Sequence, residues 1–129
     1  MGMFDAINNS ASALTAQRLR MDLISQNIAN VNTTRTPEGG PYVRQMPVFS
    51  ESSSGGVQVQ AIVSDSRPFK LVYDPSHPDA NADGYVSMPN VDVIEEMVDM
   101  VSATRSYEAN VTAINAAKSM AMRSIDIAR

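Results

Sequence analysis

Residues 90–127 read NVDVIEEMVDMVSATRSYEANVTAINAAKSMAMRSIDI, and this stretch decides the fold. Val93, Met100, Tyr107, Ile114 and Ala121 stand seven residues apart, and Met97, Thr104, Val111, Lys118 and Ile125 form a second register of the same period. Apolar side chains at that spacing mark a helix with a coiled-coil seam. Its start is well defined. Pro89 stops what precedes, Asn90 or Asp92 can cap, and Glu95 follows Asp92 at capping-box distance. Asp92, Glu95, Glu96 and Asp99 crowd the first turns, while Lys118, Arg123 and Arg129 lie near the end, and both placements suit the helix dipole. The pair Glu95-Glu96 reads as dipole complement on a solvated helix start rather than as an acid and a base. A helix over this stretch is roughly 55 Å long.

The other end of the chain carries a matching but weaker pattern. Phe4, Ile7, Ala11, Leu14, Arg18, Met21, Ser25 and Ile28 step by three and four, and Ile7, Leu14, Met21 and Ile28 alone form a strict heptad. Arg18 and Ser25 interrupt the alternate positions, so this helix, about 40 Å long, is marginal by itself. A compact domain of this size is only about 30 Å across. The two helices can pair lengthwise, but each keeps a further apolar edge, represented by Leu23 and Ile24 in one and Val98 and Val101 in the other. Alanines line both and allow close approach. The pair is expected to be buried by copies or relatives of itself.

Between them, residues 33–89 hold all seven prolines and all but one of the glycines. Val57, Val59 and Ala61 alternate with Gln58 and Gln60, which predicts a strand. Phe69 to Tyr73 reads as its hairpin partner across Ser64–Pro68. Short strands are expected around Tyr42–Phe49 and Gly84–Met88, and flexible loops at Glu38–Pro41 and Ser52–Gly56. The expected class is therefore α+β: long N- and C-terminal helices packed as a coiled coil with a small β-rich middle segment. The expected divisions are 1–32, 33–89 and 90–129, the first and last forming one inner helical domain.

Little here suggests catalysis or a cofactor. The formal charge is −4, which argues against nucleic acid, and no apolar run approaches the eighteen or so residues that span a bilayer. There is no cysteine, so no disulfide, thiolate metal site or cysteine nucleophile. Met1 to Leu14 has neither a basic region nor a continuous apolar one, and so is not a Sec signal peptide. Nine methionines and few aromatics suit adaptable helix contacts more than a pocket. Asp79-Ala80-Asn81-Ala82-Asp83-Gly84 matches the first half of a calcium loop, but Asn90 stands where a bidentate Glu is required, so an acidic turn shaped by Gly84 is the simpler reading. His77, the single histidine, sits among prolines as a surface loop residue. The run Asn27-Ile28-Ala29-Asn30-Val31-Asn32-Thr33-Thr34 has two readings: a helix stop using the left-handed tolerance of Asn, or amides that bond a neighbouring subunit's backbone.

These residues also carry a resemblance. Asn27 to Thr33 looks like the N-terminal signature of the bacterial flagellar rod and hook proteins. Asn90 to Val98, together with Ser106-Tyr107-Glu108-Ala109-Asn110, resembles their C-terminal signature. Thr34 to Tyr42 and Tyr73 to Asp79, and the short middle segment, are similar to the small proximal rod members of that family. The resemblance covers nearly the whole chain. It implies a structural subunit of the flagellar basal-body rod, not an enzyme, with its terminal helices lining the inner tube. It further implies export by the flagellar type III apparatus, a place in the periplasm, other rod proteins and copies of itself as partners, torque transmission and continuity of the export channel. The expected assembly interface is Ile7, Leu14, Met21 and Ile28 with Asn27 and Asn30 on the first helix, and Met97, Met100, Tyr107, Val111 and Ile114 on the second. Two rivals are a cytoplasmic coiled-coil adaptor, which would want stronger flanking charge pairs than are present, and a calcium module using Asp79, Asn81 and Asp83.

Overall fold

Asp92 begins the longer helix as expected. Its carboxylate Oδ1 accepts from Ile94 N at 3.0 Å and from Glu95 N at 3.5 Å. The computed structural model describes residues 2–129. It runs α1 (Met3–Ala29), β1 (Gln45–Glu51), β2 (Val57–Ser64), β3 (Lys70–Tyr73), β4 (Tyr85–Met88) and α2 (Val93–Ile127). The class is α+β. α1 is opened by the Asp5 carboxylate, which accepts from Gly2 N at 2.9 Å.

The helices pair antiparallel: Asn27 meets Glu96, Arg20 faces Asp99, and Thr104 meets Met21. The inner face of α2 is Glu96, Met100, Ala103, Tyr107, Asn110, Ile114, Ala117 and Ala121, all buried or half-buried and spaced alternately by four and three. This is a heptad seam. It keeps the expected register from Met100 to Ala121 but corrects the second one. Met97 and Val111 lie outside the seam, 57% and 36% exposed, and Thr104, Lys118 and Ile125 are exposed with them. The true second register falls one residue earlier, on Glu96, Ala103, Asn110 and Ala117. Ala103 and Ala117 let the backbones close together, Glu96 and Asn110 are polar, and the register as a whole carries little hydrophobic signal. Ile7, Leu14, Met21 and Ile28 are all half-buried in α1. α2 has 35 residues against 27 in α1, an excess of eight, so it projects about 12 Å beyond its partner.

α1 is covered on a second side by its own chain. β1 and β2 form an antiparallel hairpin from Gln45↔Ser64 to Glu51↔Val57, with a register shift at Val48/Phe49. At its open end Asn27 bonds Gln45, and at its tip Val57 N donates to Ser12 Oγ at 3.0 Å. The helix between Ser12 and Asn27 is about 22 Å long, close to the roughly 24 Å of a seven-residue strand, so the hairpin lies along α1. Leu23 and Ile24 are thereby buried, and the spare edge expected on α1 does not exist. The edge on α2 does, since Val98 and Val101 are exposed.

Three further expectations are corrected. α1 stops at Ala29 rather than Asn32. β3 pairs with β4, from Lys70↔Met88 to Tyr73↔Tyr85, and not with β2. The Ser64–Pro68 stretch is not a reversal because Asn90 Nδ2 donates to the carbonyls of Asp65 and Arg67, at 3.2 and 3.0 Å, and holds it as a connector between hairpins. Finally, Ser52–Gly56 is a tight turn docked on α1 rather than a flexible loop. Gly56 has φ +82°, and a Cβ there would stand 2.5 Å from Ser12 Oγ. That oxygen is itself held by Asn9 O and Val57 N. Gly56→Ala is therefore expected to destabilise the chain by more than the about 1–2 kcal/mol of a left-handed alanine alone. Gly39→Ala, at φ +85° with no atom within 4 Å of its Cβ, is the control. Urea unfolding of both variants measures the difference.

Candidate functional site

The segment Gly39–Ser50 contains a single charged residue, Arg44, and the fold closes around it. Arg44 is buried just before β1. Its Nε donates to Glu96 Oε1, Nη1 to Asp65 Oδ2 at 3.1 Å and Nη2 to Asp99 Oδ2 at 3.2 Å, with Glu95 3.8 Å away. Arg67 adds Nε to Asp65 at 2.8 Å and Nη1 to Glu95 at 3.0 Å. Arg20 approaches Asp99 at 3.9 Å. One network thus ties α1, the entry to β1, the β2–β3 connector and the first two turns of α2.

Two asparagines complete the joint. Asn27 is 1% exposed and fully engaged. Its Nδ2 donates to Gln45 O at 2.9 Å and Glu96 Oε2 at 3.3 Å, and its Oδ1 accepts from Tyr42 Oη at 2.8 Å and Gln45 N at 3.0 Å. It serves as an amide in the last turn of α1 that orders backbone, and the backbone belongs to its own chain. Asn90 does the same from the other side, accepting from Arg44 N at 2.8 Å while donating to the connector carbonyls. Asn30 is the C-cap of α1 at φ −105°, so the expected left-handed stop is absent; its Nδ2 donates to Gln26 O at 2.8 Å instead.

The solvated reading of Glu95-Glu96 is overturned by the same contacts, because Glu96 is 0% exposed. A carboxylate so deep is tolerable only when paired and hydrogen-bonded, and Arg44 and Asn27 supply both. Among the described residues no buried side-chain nitrogen or oxygen lacks a partner. The Arg44 guanidinium, despite the burial that opposes its charge, is held more firmly protonated by the Glu96 hydrogen bond and charge. Hydrogen bonds from Arg67, then Arg44, lower the Asp65 carboxyl to about 2. Burial, helped by the Glu96 charge, pushes the Tyr42 phenol up. A cavity of about 190 Å³ lies alongside, between Leu23, Ile24, Pro47, Phe49 and the charged cluster. These groups face one another rather than an open cleft, which is the chemistry of a joint.

The acidic loop serves a local purpose. Asp79 accepts from Thr34 Oγ1 at 2.6 Å and from Arg35 Nε, which lower its pKa in that order. Asn81 Oδ1 accepts from Asp83 N and Tyr85 N at 3.0 and 2.9 Å, making an Asx turn. His77 Nδ1 accepts from Asp79 N at 3.0 Å. Gly84 sits at φ +87°, where a Cβ would come 2.9 Å from the Tyr73 ring. No group of three or more His, Cys, Asp or Glu side chains is placed to hold a metal ion among the described residues. No helix among them is long and apolar enough to cross a membrane.

Of the expected interface residues, Met100, Tyr107 and Ile114 line α2's inner face, Ile7, Leu14, Met21 and Ile28 are half-buried in α1, and Asn27 is at the joint. Met97 and Val111 face out. Arg44 and Asp65 were not expected. The signal for Arg44 was its isolation in an uncharged stretch, and that for Glu96 was its place three residues after Val93 and four before Met100.

Known proteins match this sequence at both ends and throughout. A family described as flagella basal body rod protein matches residues 7–35, and one described as flagellar basal body rod FlgEFG protein C-terminal matches 82–127. Flagellar basal-body rod protein FlgC of Bacillus subtilis (strain 168) is 49% identical, with all of both chains covered. The chain belongs to the FlgC-type flagellar basal-body rod protein family. FlgC of Borreliella burgdorferi is likewise 49% identical over 93% of each chain, and that of Salmonella typhimurium (strain LT2) 39% over 98% of each. As a rod protein the chain is a structural subunit of the flagellar basal body. The two family matches bracket the joint, taking in Asn27 at one end and Asn90, Glu95, Glu96 and Asp99 at the other.

Two outcomes follow for the joint. Arg44→Met leaves Glu96 buried and unpaired, and is expected to cost about 3–5 kcal/mol in urea unfolding, with Arg44→Met/Glu96→Leu recovering much of it. For pH, the folded Asp65 carboxyl titrates near 2 against about 3.9 when unfolded. Its contribution is complete above about pH 4 and disappears as pH falls through about 2. Unfolding measured from pH 5 to 2 is expected to show that loss, and Asp65→Asn to flatten it.

Proposed function

We propose that α1 and α2 pack lengthwise with copies of this chain and with other rod proteins, so that a wall of helices surrounds a central export channel and carries torque. Ile7, Leu14, Met21, Ile28, Met100, Tyr107 and Ile114 shape the helix pair from within. Met97 and Val111, together with Val98 and Val101, meet neighbouring subunits. In this reading the chain works without turnover or cofactor, and the middle hairpins form the outer part. It is exported by the flagellar type III apparatus and resides in the periplasmic part of the rod. Residues 1–32 and 90–129 form the inner domain and 33–89 the outer one.

The observation that carries this reading is the second apolar edge of α2. Ile94, Met97, Val98 and Val101 are exposed on the side opposite α1, where four large apolar side chains within two turns want cover. Membership of a rod family supplies the setting in which such cover is found. The test is a strain lacking this chain. It is expected to be non-motile, with motility restored by the intact gene and the protein recovered in purified basal bodies. Normal swimming by the deleted strain overturns the reading.

A further inference from the structure

α2 carries apolar side chains at both ends, beyond any cover from its own chain. At the start are Ile94, Met97, Val98 and Val101; at the projecting end are Met122 and Ile125 on one side, and Met120 and Ile127 on another. The charges beside them differ in sign. Asp92 uses only Oδ1 in the helix cap, and Oδ2 accepts no hydrogen bond among the described residues. Lys118, one turn before Met122, makes no ion pair among the described residues, and both residues are exposed.

The spacing makes these features fit each other. Setting Val98 of one copy beside Met122 of another in parallel is a stagger of 24 residues, roughly 36 Å. The same stagger puts Val101 beside Ile125 and Ile94 beside Lys118, whose ammonium then reaches Asp92. It also lays the negative C-terminal end of one helix beside the positive N-terminal end of the next, which is favourable.

We propose that the projecting end of α2 docks on the Ile94–Val101 edge of a second copy of this chain, head to tail, with Lys118 pairing to Asp92. The contact is heterologous: each copy offers one edge and one projecting end, so it leaves a free site at either extremity and does not close on itself. This rests on the assembly reading above and names the partner for one edge of it.

The absence of native cysteine allows a direct test. A strain producing two full-length forms, Val98→Cys and Met122→Cys, is checked for motility, and its purified basal bodies are mildly oxidised. A disulfide-linked dimer is expected from the mixture, absent when either form is expressed alone and lost when Met122→Cys also carries Lys118→Glu. Val101→Cys with Ile125→Cys is an independent pair at the same stagger, used where the first fails to assemble. If the chain is present in basal bodies and neither pair links, the docking is overturned while the rod reading stands. Absence of the native chain from basal bodies overturns both.

Discussion

The joint between the helix pair and the middle segment is centred on one buried ion pair, Arg44 with Glu96. A carboxylate with no solvent contact demands a cation and a donor, and the chain supplies the cation by bringing Gly39–Ser50 back against the first turns of α2. Once Arg44 is there, Asn90 receives its backbone N–H, Asn27 grips Gln45, and β1 has a defined starting point and direction. The hairpin then has one course open to it, down α1 to Ser12. Replacing the pair by apolar side chains of similar volume is expected to keep the stability, since buried ion pairs rarely gain much over a packed hydrophobic contact. What the pair adds is a single admissible arrangement of the four segments its network ties together.

The terminal helices were legible in the sequence because heptad spacing survives any local detail. The identity of the seam was only half legible. Met100, Tyr107 and Ile114 announce one register, but the other consists of Glu96, Ala103, Asn110 and Ala117, two polar residues and two small alanines, while Met97 and Val111 are larger apolar residues that face outward. A helix with two working faces presents two overlapping patterns, and hydropathy ranks the wrong one first. The same ambiguity concealed Glu96, whose neighbours in sequence are acids of a helix start and whose neighbours in space are Arg44 and Asn27.

Strand pairing was less legible still. β2 and β3 are adjacent and separated by a short Ser-Pro stretch, which ordinarily signals a hairpin. The deciding contact is Asn90 Nδ2 with two carbonyls of that stretch, more than twenty residues away. Long-range side chain to backbone bonds of this sort leave no periodic trace. The acidic loop shows the converse: its motif was plain, yet each side chain is spent on local geometry, Asp79 on Thr34 and Arg35 and Asn81 on its own turn.

The hairpin laid along α1 has a mechanical meaning. Over that span the inner pair is braced by a third, hydrogen-bonded layer, tied at both ends by Ser12 and Asn27, so bending there must shear a sheet as well as flex two helices. The last eight or so residues of α2 have no such brace. The subunit is thus a stiff beam with a compliant tip, and strain imposed on it from outside will concentrate in the tip rather than spread along its length.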